Sequence, residues 1–354
     1  MAARVGVVGL LAVHGAWVGG CGEDRPRPGP LEPGTEPTNL IPLTDLGADR
    51  YLEQFQGGLF LGGANSVPSD HAARGTELAS AIRPLDVSGQ AAANGRIGVL
   101  VVGDALAAQV ACNITPGTPC GEGTLLARVA ADDDVDHAHV RFVNGARNTS
   151  TFQAWTSATG PYYGFLQNTL LPDHGLSAAQ IQAAWVHLAT THPVSTLPAT
   201  DADARLMLAW LPEVLRALKD VFPNLRVAWL TSRVFGGYGT LSARGEPSAY
   251  ETGFAVKWTI EAQLRQRREG AVVIPEAGDL APDQAAPWIT WGPYWWADGT
   301  RPRNDGLIWR REHFEQDGVN PSAEGEARMG LLLFEHLKSS PWARCWLLAS
   351  VVCQ

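Results

Sequence analysis

The chain has 354 residues, with 27 Lys and Arg against 36 Asp and Glu, a formal net charge of −9. That length allows a sizeable core, in one large domain or two small ones. The acidic balance argues against a nucleic-acid partner, and the one basic run, Arg265, Arg267 and Arg268, closes a predicted helix before Gly270, where cations complement the helix dipole.

Arg4 precedes an apolar run from Val5 to Val18, and Val18-Gly19-Gly20-Cys21 follows. The run is too short to span a bilayer, and small residues before a cysteine suit a processing site. The pattern resembles a bacterial lipoprotein signal over residues 1–20, with Cys21 as the lipidated first residue. An ordinary secretory signal with an incidental cysteine is the alternative. Residues 21–39 are rich in proline and charge and poor in apolar side chains, so they read as an extended tether. The expected location is the bacterial cell envelope, periplasmic or surface-exposed, with the membrane reached only through Cys21.

A domain is expected over residues 40–342. Its strand candidates are short apolar runs at residues 97–102, 139–143, 184–188, 226–231 and 271–274. The first of these breaks at Gly103-Asp104 and enters a small-residue helix. Asp201 is a candidate cap for a helix whose apolar positions Met207, Leu211, Val214, Leu215 and Leu218 share a face, and Pro212 is expected to kink or split it. A second helix is expected from Glu251 to Arg268, with Val256, Ile260 and Leu264 on one side. The last begins after Asn320-Pro321 and runs to about Leu337. Such alternation implies a three-layer α/β fold, a mostly parallel sheet with helices on both faces. Ligands of open α/β sheets bind in the crevice beyond the strands' carboxyl ends.

With Cys21 assigned to lipid, Cys112, Cys120, Cys345 and Cys353 remain, an even number in an exported chain. They read as disulfides 112–120 and 345–353, the other two connectivities staying open. The second would close a C-terminal tail over residues 343–354. No histidine stands at metal-ligand spacing from them, and no metal or cofactor is expected.

Four blocks along the chain bear on chemistry. Asp317-Gly318-Val319-Asn320-Pro321-Ser322 resembles the D-x-x-H-P block of the SGNH/GDSL hydrolase superfamily, and Gly103-Asp104-Ala105 resembles its nucleophile block. Val143-Asn144-Gly145-Ala146-Arg147-Asn148 is similar to the block that carries an oxyanion-binding glycine, and Val186-His187-Leu188-Ala189-Thr190 to the G-x-N block. Longer phrases extend the likeness from about Leu46 to Trp342: Gln56-Gly57-Gly58-Leu59, Glu251-Thr252-Gly253-Phe254-Ala255-Val256-Lys257-Trp258 and Trp291-Gly292-Pro293-Tyr294. The resemblance is to a group of bacterial secreted members, and it implies a flavodoxin-like sheet and ester hydrolysis. It also implies that the catalytic positions are substituted. Ala105 stands for the serine, Asn320 for the general-base histidine, Asn148 for the oxyanion glycine and Thr190 for the asparagine, with Asp317 retained. A methyl group cannot attack a carbonyl, and an amide has no basic nitrogen near neutral pH.

Each substitution also has a structural explanation. Asn320-Pro321 suits a helix start, and Ala105 is a good helix former. Asn148 keeps its backbone N–H, and Thr190 can still donate a hydrogen bond. A relocated site would draw on Asp104, Ser150, Ser232 or Ser322, with His71, His187, His192 or His313 as base, although no spacing among them implies a dyad. Trp288, Trp291, Tyr294, Trp295, Trp296 and Trp309 crowd a segment rich in Gly and Pro. They read either as the rim of a ligand cleft, with Asp104, Trp291, Trp295 and Trp296 as ligand-binding candidates, or as anchors pinning an irregular segment to the core. The sequence therefore suggests an envelope lipoprotein with a catalytically degenerate fold that binds glycan or acylated glycan. The alternative is an active carbohydrate or lipid O-acyl esterase with a displaced nucleophile.

Overall fold

The computed structural model describes residues 38–112, 118–148, 151–190, 193–239 and 245–351. Cys21 with the expected signal, most of the tether, Ser150, His192 and Cys353 lie outside the described residues.

Five parallel strands form the main sheet: β1 (Ile97–Gly103), β2 (Val140–Asn144), β3 (Ile181–His187), β4 (Val227–Leu230) and β5 (Trp288–Trp291). Their spatial order is β2-β1-β3-β4-β5, a flavodoxin-like winding. Strands buried on both faces should be continuously apolar rather than alternating. β1 (IGVLVVG) is buried at all seven positions, and β3 and β4 are buried throughout as well. The main helices are α1 (Ser69–Ser80), α2 (Ala105–Ala111), α3 (Leu125–Ala131), α4 (Asp203–Val221), α5 (Ser248–Glu269) and α6 (Ala323–Ser339). Two groups emerge, with α4 packed on α5, and α2 and α3 packed on α6. Strand–helix alternation produces the expected three-layer α/β arrangement.

Four of the five expected strands form within a few residues of their apolar runs. The fifth does not. Residues 271–274 are non-strand and partly exposed, with Val272 44% accessible. Pro275 follows, which cannot donate to a ladder. The fifth strand is Trp288–Trp291 instead, paired to β4 from Val227↔Trp288 to Leu230↔Trp291. Its aromatic and β-branched side chains suit a strand covered on both sides.

Helix α4 starts at Asp203, with Ala202 rather than Asp201 at the cap position, and runs unbroken through Pro212. The Asp203 carboxylate ties down the preceding loop, accepting from Val194 N at 2.7 Å and Ser195 N at 2.8 Å. Helix α5 ends at Gly270, whose φ of 71° is a left-handed stop and whose N–H donates to Gln266 O. The expected C-terminal tail packs into the same core as the sheet. Trp346 lies against Trp229, and Ala349 N donates to Asp134 O at 2.8 Å. Cys112 and Cys120 form a disulfide, while the expected 345–353 pairing includes a residue outside the described set.

His71, fully buried in α1, stacks near Trp288 with ring centroids 4.9 Å apart. Its Nε2 meets Ile289 O at 2.9 Å and therefore carries the proton, because a carbonyl only accepts. Burial drives its pKa down to about 4. A histidine depressed this way contributes stability that is present above its unfolded value and lost as pH falls through the folded one. His71→Phe should cost about 1–3 kcal/mol at pH 7, where Ile289 O loses its donor. That gap should narrow between roughly pH 6.5 and pH 4, which urea unfolding of both proteins across this range would measure.

Candidate functional site

The carboxyl end of β1 sets the geometry. Strand β1 stops at Gly103, and a Cβ there would lie 2.4 Å from His187 O and 2.4 Å from the Ala107 Cβ. Only a hydrogen fits between β3 and the first turn of α2. Asp104 then caps α2, its Oδ1 accepting from Leu106 N at 3.1 Å and Ala107 N at 3.4 Å. Ala105, the first helical residue, is thereby presented at the end of the sheet.

The loop after β2 is fastened to the same place. Asn144 Nδ2 donates to Ala108 O at 3.0 Å, Ala146 N donates to Asn144 Oδ1 at 3.2 Å, and Arg147 N donates to Gly103 O at 3.4 Å. This brings Asn148 to the crevice. Strand β3 delivers His187 and, just beyond it, Ala189 and Thr190; the stretch after β4 delivers Arg233. The last contribution is a turn before α6. Gly318, at φ 69°, allows that turn to press on the Tyr238 backbone, where a Cβ would meet Tyr238 O at 1.8 Å.

These five segments close around one cavity of about 120 Å³, lined by Asp104, Ala105, Leu106, Asn148, His187, Ala189, Thr190, Arg233, Val319 and Asn320. All four substituted positions read from separate sequence blocks, Ala105, Asn148, Thr190 and Asn320, share it. Asp317 stands behind Asn320. Its Oδ1 accepts from Val319 N and Asn320 N, both at 2.9 Å, and its Oδ2 accepts from Asn320 Nδ2 at 2.6 Å. A carboxylate thus orients the amide, which offers the cavity hydrogen bonds but no base.

Asn320 is not the helix cap. Ser322 caps α6, its Oγ accepting from Gly325 N at 3.2 Å and donating to Glu312 O at 2.7 Å. The same bonds remove Ser322 as a nucleophile. Ser232 is 2% accessible and does not line the cavity. Among the described residues no serine lines it. His71 and His313 are buried elsewhere, His313 Nδ1 accepting from Arg310 N at 2.9 Å. His187 is the histidine at the site. Its Nδ1 faces Thr231 O at 3.1 Å, so that nitrogen holds the proton. Its Nε2 stands 3.8 Å from Asp104 Oδ1, beyond hydrogen-bond range. Burial lowers its pKa despite the opposing Asp104 charge, so the ring is neutral near pH 7.

The tryptophans are not a rim. Trp291 is 4% accessible and Trp295 and Trp296 are 0%, so of the four ligand-binding candidates Asp104 alone lines the cavity. Trp291 Nε1 donates to Leu59 O and Trp296 Nε1 to Glu246 Oε1, each at 2.8 Å. Trp295 packs against Trp185 and His187 with centroids 5.6 and 5.8 Å apart. A segment with one strand and few other backbone ladders is held by large rings, each worth about 1.5–3 kcal/mol when buried. The sequence reading passed over Arg233. Its position just past β4 was the available signal, since every lining segment but the last follows a strand.

No known family model matches the sequence, and no curated protein sequence matches it significantly. Solved structures give weak likenesses. An extracellular lipase from Streptomyces rimosus is 14% identical, over 69% of this chain and 99% of that one, with a TM-score of 0.31. A carbohydrate esterase family 2 enzyme with a carbohydrate-binding domain from Corynascus thermopiles (Myceliophthora fergusii) is 10% identical, over 70% and 67%, with a TM-score of 0.37. The acetylxylan esterase Axe2 from Geobacillus stearothermophilus, as a catalytic mutant, is 12% identical, over 70% and 96%, with a TM-score of 0.35. At such values these likenesses carry no argument about activity. The strand order and the crevice described above stand on this chain's own geometry.

Because Ser322, not Asn320, holds the α6 start, Ser322→Ala should lower stability by about 1 kcal/mol, the usual worth of a cap. Asn320→Ala should cost less, since its side chain bonds only the half-buried carboxylate of Asp317 and caps no helix. Thermal unfolding of the two variants side by side would check the order.

Proposed function

We propose that this protein is a catalytically degenerate member of the SGNH/GDSL hydrolase superfamily that binds a short acyl ester, carried on a glycan, without cleaving it. The observation that carries the reading is the meeting of Ala105, Asn148, Thr190 and Asn320 in one cavity, with Asp317 hydrogen-bonded behind Asn320. Four sequence blocks assigned one by one converge on one place, where alanine and asparagine stand at the positions of the resembled family's serine and histidine. The lining supports the ligand class. Asn148, Thr190, Asn320, Asp104 and Arg233 supply hydrogen-bonding groups for hydroxyls and a carbonyl, while Ala105, Leu106, Ala189 and Val319 supply a small apolar wall. At about 120 Å³ the cavity is well below the roughly 300 Å³ and upward of pockets that enclose a drug-sized ligand. It suits one short acyl group of a larger molecule that remains outside.

The test is restoration. Ala105→Ser with Asn320→His supplies the missing pair, with Asp317 in place to orient the imidazole. Nucleophile and base act as a unit, so each single variant should remain near background. The double variant should release acetate from acetylated oligosaccharides and short aryl esters at a weak, measurable rate. Adding Asn148→Gly and Thr190→Asn should raise it further, since one oxyanion donor is typically worth about 10²–10³ in turnover. Turnover by the parent protein, or none by the quadruple variant, would overturn the reading.

We propose further that the chain is held at the cell envelope by lipid on Cys21. Among the described residues no helix is long and apolar enough to cross a membrane. Cys21→Ala should move the protein from the membrane fraction to the soluble fraction; retention on the membrane would refute the anchor.

A further inference from the structure

Beside the crevice lies a second cavity of about 370 Å³, lined by Arg147, Gln153, Ala154, Gly160, Pro161 and Tyr162. The two meet along the chain, because Arg147 lines one and its neighbour Asn148 lines the other. The Arg147 backbone is fixed by its N–H to Gly103 O. Its guanidinium is placed by aromatic rings, 4.0 Å from the Tyr162 centroid and 4.5 Å from that of Phe165. Those rings are nearly parallel, 11° apart in plane, and Tyr162 is itself anchored by a hydrogen bond from its hydroxyl to Gly145 O.

A guanidinium held in this way keeps its donors at its edge. It has five N–H groups; among the described residues its guanidinium lies against two aromatic rings, with no ion pair to a carboxylate. Arg226, Arg267, Arg268 and Arg303 have acidic partners, and Arg96, Arg128, Arg141, Arg216 and Arg311 are placed by backbone carbonyls; Arg147 is placed by rings instead. A preorganised fork of this kind matches a carboxylate in a two-point contact. The exposed Gln153 amide, which both donates and accepts, and the Tyr162 ring add contacts suited to a hydroxylated ring.

Building on the crevice reading above, we propose that Arg147 and this cavity form a second subsite that takes the carboxylate of a sugar acid, adjoining the acylated unit in the crevice. The ligand class is thereby narrowed to acidic, O-acylated glycans. Phosphate would share the anionic chemistry without the sugar contacts.

The experiment uses the mature chain and three probes: glucuronate, glucose and inorganic phosphate, followed by calorimetry and ligand-observed NMR. Glucuronate should bind better than either of the others, and added salt should weaken it. Arg147→Gln should weaken glucuronate binding about tenfold or more, as expected for a lost charge-assisted pair, and Arg147→Lys should keep part of the affinity. Circular dichroism of both variants would confirm folding, and if Arg147→Gln fails to fold, the Lys variant and the salt dependence still decide. Equal binding of glucose and glucuronate, tighter binding of phosphate, or no effect of either variant would overturn the proposal. Acetylated neutral oligosaccharides separate the two readings. If they bind while Arg147 is silent, the subsite alone falls; if they fail while Arg147-dependent glucuronate binding persists, the crevice reading falls.

Discussion

The contact on which the crevice depends is the one at Gly103, where the carbonyl of His187 and the first turn of α2 leave room for a hydrogen and nothing larger. It sets how closely β1, β3 and α2 approach. From that approach follow the placement of Ala105, the capping of α2 by Asp104, and the docking of the β2 loop through Arg147 N to Gly103 O. A parallel sheet sends all its strands' carboxyl ends to one edge. Residues far apart in the chain therefore meet there, and only the turn at Asp317–Asn320 is brought in from before a helix rather than after a strand.

The turn before α6 is placed just as firmly. Asp317 accepts from the Asn320 backbone and holds the Asn320 side-chain amide. His187, buried and neutral, commits its Nδ1 proton to Thr231 O, and its Nε2 lies 3.8 Å from Asp104 Oδ1. The result is a lined, hydrogen-bonding cavity whose described lining residues include neither a serine nor a cysteine. Under the proposed reading, such a cavity recognises a ligand without turning it over.

Much of the fold was legible because buried parallel strands leave short apolar runs, as at residues 97–102 and 184–188, whose strands form at Ile97–Gly103 and Ile181–His187. The fifth strand was not, because residues 271–274 and Trp288–Trp291 are both short apolar runs, and only the ladder to β4 distinguishes them. The tryptophan segment misled for a related reason. Glycines and prolines mark a loop correctly, yet a loop at a sheet edge is either a rim or a lid of core, and side-chain burial decides which. At the site, the family resemblance named Ala105, Asn148, Thr190 and Asn320, which share one cavity, whereas the cap of α6 was misplaced by two residues, since Asn320-Pro321 and Ser322 both suit a helix start. Arg233 carried no motif at all and became visible only when β4 was placed beside β3.

The proposed function requires a crevice that binds without a nucleophile. The most direct measurement is intact mass after incubating the mature protein with a serine-reactive fluorophosphonate. The parent chain should keep an unmodified mass under conditions that label the Ala105→Ser, Asn320→His variant. A stoichiometric adduct on any serine of the parent would contradict it.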